Sequence, residues 1–283
     1  ARLEHPNIAS YYKVGTNRFE DGEESFVLPY LIMEFVKGEP CSCLEKKSIR
    51  KIVTLMQKVA EAVAYAHGKG VIHRDLKPTN IFVDSENNPK ILDFGLAQLM
   101  DQVTTASGIF EGSPSFAAPE QFKGEKCDER SDIWMLGSIL FSLLTGRPPF
   151  VPPTHAEMNQ MQQVFAIQEQ ILKSPTPKPT KWNSEIDEYL EKICLKALNK
   201  DAKLRYQTAD DFAADLKNWN KVNRDYWMEK SKKTIRGIMF VPKCIKKKMI
   251  KKSYDYLIKA LSYGNATTPI KEHLSHLLHL QGM

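Results

Sequence analysis

The chain has 283 residues, 42% of them hydrophobic, 26% charged and 10% aromatic, which fits one globular domain with an appendage, or two small domains. No apolar run is long enough to cross a bilayer and no signal-peptide pattern opens the chain. The formal net charge of +6 is unevenly placed: residues 221–283 carry 14 Lys/Arg against 4 Asp/Glu, and the totals of 40 and 34 leave 26 against 30 for residues 1–220. A change of electrostatic character, and with it a boundary, is expected near residue 220.

In chain order, residues 9–14 and 28–35 are rich in aromatic and branched residues and predict strands, with a polar, acidic loop over Gly15–Ser25 between them. Apolar residues at Ile52, Leu55, Met56, Val59, Val63 and Ala66 keep helical spacing across Ser48–His67, and Gly68 and Gly70 close the helix. Short apolar runs follow at Val71-Ile72 and Ile81–Val83. Asn87-Asn88-Pro89 marks a turn, and Lys90–Leu92 a further strand. The segment after residue 100 is small and polar up to Ala118-Pro119-Glu120. Ile133–Leu144 is entered through Ser131-Asp132 and reads as a buried core helix. Helical patterns cover Asp132–Leu144, His155–Leu172, Ile186–Leu198 and Thr208–Asn220, with Pro-rich connectors between them. A few strands followed by many helices make an α+β chain dominated by helices.

Five scattered cysteines (Cys41, Cys43, Cys127, Cys194 and Cys244) fit neither a disulfide framework nor a zinc site, so reduced thiols and a cytoplasmic location are expected. Cys41-Ser42-Cys43 is open to two readings, a reactive thiol or ordinary packing.

The chemistry is concentrated in His73-Arg74-Asp75-Leu76-Lys77-Pro78-Thr79-Asn80, with Asp93-Phe94-Gly95 thirteen residues after Asn80. This puts a carboxylate, an ammonium, an amide and a second carboxylate on two adjoining loops. Such a group can orient a hydroxyl and hold Mg²⁺ against phosphates. The run resembles the catalytic and metal-binding loops of the protein kinase family, in the style of bacterial eukaryote-like (Hanks-type) serine/threonine kinases. The resemblance covers residues 3 to about 220 and implies a kinase-like fold. Residues 1–36 would be a partial β-rich small lobe with the hinge, residues 37–220 the helical large lobe, and residues 221–283 a basic helical extension.

The resemblance implies ATP-dependent phosphoryl transfer to Ser/Thr of protein substrates, with Asp75 as the base and Lys77 offsetting charge on the transferring group. Asn80 and Asp93 would hold Mg²⁺, with Mn²⁺ as a substitute. Met33, Glu34, Val36, Phe82 and Leu92 would form the ATP pocket. Ser113 and Phe116 would belong to the substrate-docking loop. His73, Phe94, Glu120, Asp132 and Arg205 would be structural, with Asp132 receiving backbone amides of the catalytic loop and Glu120 pairing with Arg205. Arg74 would receive a phosphate placed on Thr104, Thr105 or Ser107. Two departures stand out: Thr79 replaces the commoner Glu, and Ala202 replaces the usual Pro before Arg205.

The family's Gly-rich loop, strand Lys and helix Glu do not occur in the sequence. Two readings of that remain open: a kinase fragment, impaired by itself, or a pseudokinase-like scaffold. The Lys-rich segments Lys243–Lys248 and Lys251-Lys252 could bind anionic lipid or nucleic acid, or simply be solvated helix faces. His273, His276 and His279 lack the carboxylate or cysteine that would complete a metal site.

Overall fold

The computed structural model describes residues 3–21, 24–43, 48–94, 113–153, 158–238, 243–263, 270 and 272–275. The chain divides into two compact units, residues 1–214 and 215–283.

Strands β1 (Tyr11–Asp21) and β2 (Glu24–Met33) form an antiparallel ribbon paired from Tyr11↔Met33 to Asp21↔Glu24. The expected loop over Gly15–Ser25 is therefore strand up to Asp21 and again from Glu24, and the second strand ends at Met33 rather than residue 35. This polar segment pairs as strand because the ribbon is largely exposed: Tyr12 is 62% and Val14 60% accessible, so no burial pattern separates strand from loop.

Three short strands, β3 (Glu39–Pro40), β4 (Ile81–Val83) and β5 (Pro89–Ile91), make a second antiparallel sheet in the order β3-β4-β5. Gly38 leads into it, and a Cβ there would lie 2.5 Å from the Val83 carbonyl oxygen, so only glycine lets the backbone approach so closely. The β4–β5 turn is held by Asp84, whose carboxylate accepts the Glu86 and Asn88 amides, while Asn87 takes φ 64°. Val71-Ile72 forms no strand. The segment before β1 is stitched to β5: the Ala9 amide donates to the Ile91 carbonyl and the Ile91 amide to the Asn7 carbonyl, both at 2.9 Å.

Helix α1 (Ile49–Gly68) buries the apolar stripe read from the sequence. It packs against α3 (Glu129–Thr145) and β5. Pro119 starts the short α2 (Pro119–Lys123), and Gly124 at φ 66° ends it. The Asp128 side chain caps α3 by accepting the Arg130 amide at 2.9 Å. Helix α3 is buried on nearly all sides, from Ser131 through Phe141, which makes it the post of this unit. Helix α5 (Glu188–Ala197) lies against it at Gly137, where an added Cβ would come within 2.8 Å of the Ala197 Cβ. Helix α4 (Gln160–Lys173) begins after Asn159, which accepts the Gln162 amide.

Helix α6 (Ala209–Ile238) runs unbroken past residue 220, and the division between units falls inside it. The charge shift marks a change of surface, because Phe212, Leu216 and Trp219 keep helical spacing and remain buried. In residues 215–283, Met228, Ile250, Leu257, Ala260 and Ile270 form a core shared by α6 and α7 (Lys243–Leu261). Ser231 and Ser253 are fully buried and bonded to each other, and Ser231 also bonds His273 Nε2 at 3.0 Å. His276, His279 and the side chains of Lys243–Lys248 lie outside the described residues. Among the described residues no helix is long and apolar enough to cross a membrane.

Candidate active site

The His73–Asn80 loop has little regular structure, and α3 holds it. Asp132, fully buried, accepts the His73 amide through Oδ2 and the Arg74 amide through Oδ1, each at 2.8 Å. His67, at the end of α1, places Nε2 2.8 Å from the same carboxylate. Three donors thus satisfy a carboxylate that burial would otherwise penalise. The Leu76 amide faces Met135 Sδ at 3.2 Å.

This anchorage supports backbone that side chains rarely adopt: Arg74 has φ 68° and Asp93 φ 61°. Conformations of this kind cost on the order of 1–3 kcal/mol and persist where surrounding contacts over-determine them. His73 Nδ1 accepts the Asp75 amide at 3.4 Å, so Nε2 carries the proton donated to the Leu92 carbonyl at 2.9 Å. The Leu92 amide in turn donates to the Asn80 carbonyl at 2.8 Å. The Phe94 ring tilts onto His73 with centroids 4.6 Å apart. These contacts bring the two polar loops side by side.

Within them, Lys77 Nζ lies 2.6 Å from Asp75 Oδ2. Both side chains are partly exposed, so the pair contributes little to stability and is cheap to exchange for other partners. Asn80, only 7% accessible, donates through Nδ2 to the Asp75 carbonyl at 3.1 Å, which fixes the orientation of its amide. The Cys41 thiol donates to the Pro78 carbonyl at 3.3 Å, and burial pushes its pKa up to about 12. Cys41 is thereby a packing residue, contrary to the reactive reading.

On the other side of these loops, Met33 stands opposite Tyr11 in the ribbon, and Phe82 lies opposite Lys90 in the small sheet. Lys90 pairs with Glu34 at 2.5 Å, and Glu34 also accepts the Ser10 amide. Burial alone would raise the Glu34 pKa, but these partners outweigh it and hold the carboxyl below its usual range. The Glu34 side chain is thus occupied with structure. Val36 and Leu92 are half-buried.

Ser113 and Phe116 line a narrow cleft with Arg74, Asp75, Gln121 and Met135. Gln121 ties this wall to the His73–Asn80 loop: Oε1 accepts the Ala118 amide at 2.8 Å and Nε2 donates to the Arg74 carbonyl at 3.0 Å. Behind it, Arg205 binds Glu120 through two bonds of 2.8 Å, donates to the Arg130 and Asn199 carbonyls, and stacks on Trp134. Burial works to raise the Glu120 pKa, yet Arg205 and the Ser131 hydroxyl prevail and lower it. Gly95, Thr104, Thr105 and Ser107 lie outside the described residues.

Three participants went unnoticed in the sequence: His67, Gln121 and Tyr11, whose hydroxyl accepts the Phe94 amide at 3.0 Å. His67 ends an apolar helical stripe and Gln121 follows Ala-Pro-Glu, so each had a positional cue. Tyr11, in an aromatic strand, had none.

The arrangement is a two-loop site on a helical post, with a carboxylate–ammonium pair on one loop and the backbone of the Asp93 loop bonded to it. Residues 1–216 match the protein kinase domain family. The chain is 36% identical to the serine/threonine-protein kinase PrkC of Bacillus subtilis over 220 residues, covering 76% of this chain and 31% of that protein. It is 32% identical to the serine/threonine-protein kinase PknB of Mycolicibacterium smegmatis over 224 residues (76% and 34%), and 32% to PknB of Mycobacterium leprae over 222 residues (76% and 34%). The chain belongs to the protein kinase family. It spans about a third of the length of these curated relatives.

Proposed function

We propose that residues 1–214 carry the phosphoryl-transfer site of an ATP- and Mg²⁺-dependent kinase acting on Ser/Thr of proteins. The observation that carries this reading is the Asp75–Lys77 pair, on a loop pinned through Asp132, beside Asn80 and Asp93 on loops joined by the Leu92–Asn80 hydrogen bond. The serine/threonine-kinase names of the relatives support it.

Asp75 orients the acceptor hydroxyl and takes its proton. Lys77 swings from Asp75 to the transferring phosphoryl group, an exchange that a partly exposed pair permits at low cost. Asn80 and Asp93 suit a hard cation: each offers oxygen, and two such donors leave room for the waters and substrate phosphates that Mg²⁺ keeps. Bound there, Mg²⁺ would neutralise phosphate charge. Arg74 receives a phosphate on Thr104, Thr105 or Ser107, which raises activity; unchanged activity in the Thr104/Thr105/Ser107 triple-Ala variant removes that part.

The main test is Asp75→Asn in the full-length protein, assayed for transfer from ATP to Ser/Thr peptides and scored by phosphoamino-acid analysis. A fall in kcat of roughly 10²- to 10⁴-fold is expected. A rate within threefold of wild type, or phosphate found only on tyrosine, overturns the reading.

A further inference from the structure

The pairing of β1 with β2 shifts register between Tyr11 and Lys13, so Tyr11 and Tyr12 have different surroundings. Tyr12 points out, 62% accessible, while the half-buried Tyr11 reaches the Asp93–Phe94 peptide, 83 residues away in sequence, and accepts the Phe94 amide. That peptide follows a non-glycine residue at φ 61°, a conformation that relaxes unless it is held from several directions. On one side it is held by the catalytic loop, through the Leu92–Asn80 and His73–Leu92 bonds and the Phe94–His73 ring contact. The Tyr11 hydroxyl holds it from the ribbon.

We propose that Tyr11 is a positioning residue that clamps the Asp93–Phe94 peptide from β1 and so keeps the Asp93 carboxylate aimed for its cation. The clamp acts through the Phe94 backbone and rests on the reading of Asp93 as a cation ligand. The clamp also links two elements that local sequence does not connect, so displacement of the ribbon is transmitted directly to the metal loop.

Tyr11→Phe keeps the ring and removes the acceptor, and is best examined in the full-length protein. In the metal-free state, hydrogen exchange of the Phe94 amide should accelerate roughly 3- to 10-fold, the range expected for one lost neutral hydrogen bond. Mn²⁺ affinity in the presence of a non-hydrolysable ATP analogue, followed by electron paramagnetic resonance, should weaken by a similar factor. The peptide KM should stay at the wild-type value. Wild-type exchange, unchanged Mn²⁺ affinity, or a variant that binds Mn²⁺ more tightly each overturns the clamp. Asp93→Asn is the separate control: retained Mn²⁺ affinity there refutes the ligand reading of Asp93, while the exchange rate still reports whether the Tyr11 contact exists.

Discussion

The two units of the chain differ in the charge they bury. In residues 1–214 ionised groups bonded from several sides are buried alongside neutral ones such as Ser131 and Asn80. Asp132 has three donors, and Glu120 and Arg205 form a bidentate pair backed by carbonyls. In residues 215–283 the fully buried polar groups among the described residues are neutral hydroxyls, Ser231 and Ser253, one of them bonded to His273. Among the described cations there, Lys230 lies over the rings of Tyr226, Trp227 and Tyr256, and Lys259 over Trp227 at 4.1 Å. The difference follows from what each unit must hold. A loop with left-handed residues needs strong, directional anchors, and ionised groups provide them. Two packed helices satisfy their own backbone, so a pair of hydroxyls suffices between them.

The hardest test of this contrast is Arg205→Ala, which leaves Glu120 buried without its partner. A loss of about 3–5 kcal/mol is expected, read by hydrogen exchange as lost protection in peptides of residues 113–214. Equal loss across 215–263 would show that the units do not differ in this way. Ser231→Ala should cost less, about 1–2 kcal/mol, since it removes hydroxyl contacts to Ser253 and His273; its signature is confined to exchange in α6 and α7.

Acid should separate the units next. The folded Glu120 carboxyl titrates below its unfolded value near 4.5. Its contribution is therefore complete above that pH and fades as pH falls through the lower, folded value. Denaturant titrations between pH 5 and 3 should show exchange protection around Glu120 declining, and Glu120→Gln should flatten that slope. A Gln variant with an undiminished slope counts against the assignment. At the small end, Lys173→Ala breaks only the exposed i,i+4 pair with Glu169 and should shift stability by less than about 0.5 kcal/mol.

Where burial imposes a period, the sequence was easy to read. Helix α1 could be followed residue by residue from its apolar spacing, and the Asp84–Pro89 turn from its Asn content. The polar loops were legible for a different reason, because their chemistry leaves few residue types free to vary. Two features escaped. The ribbon is exposed on much of its surface, so burial writes no alternation into it, and the strands read at 9–14 and 28–35 run on through residues 15–21 and 24–27. The hydroxyl of Tyr11 and the imidazole of His67 act across long sequence separations, on partners that only the fold brings near.

Gly137 sets how close α5 comes to α3, and Asp132 lies about 1.4 turns earlier on the same helix, about 7.5 Å along its axis. A methyl group at 137 has nowhere to go but into Ala197. The spacing of the two helices is thereby set by a residue with no side chain, on the same helix whose Asp132 carboxylate holds the His73 and Arg74 amides.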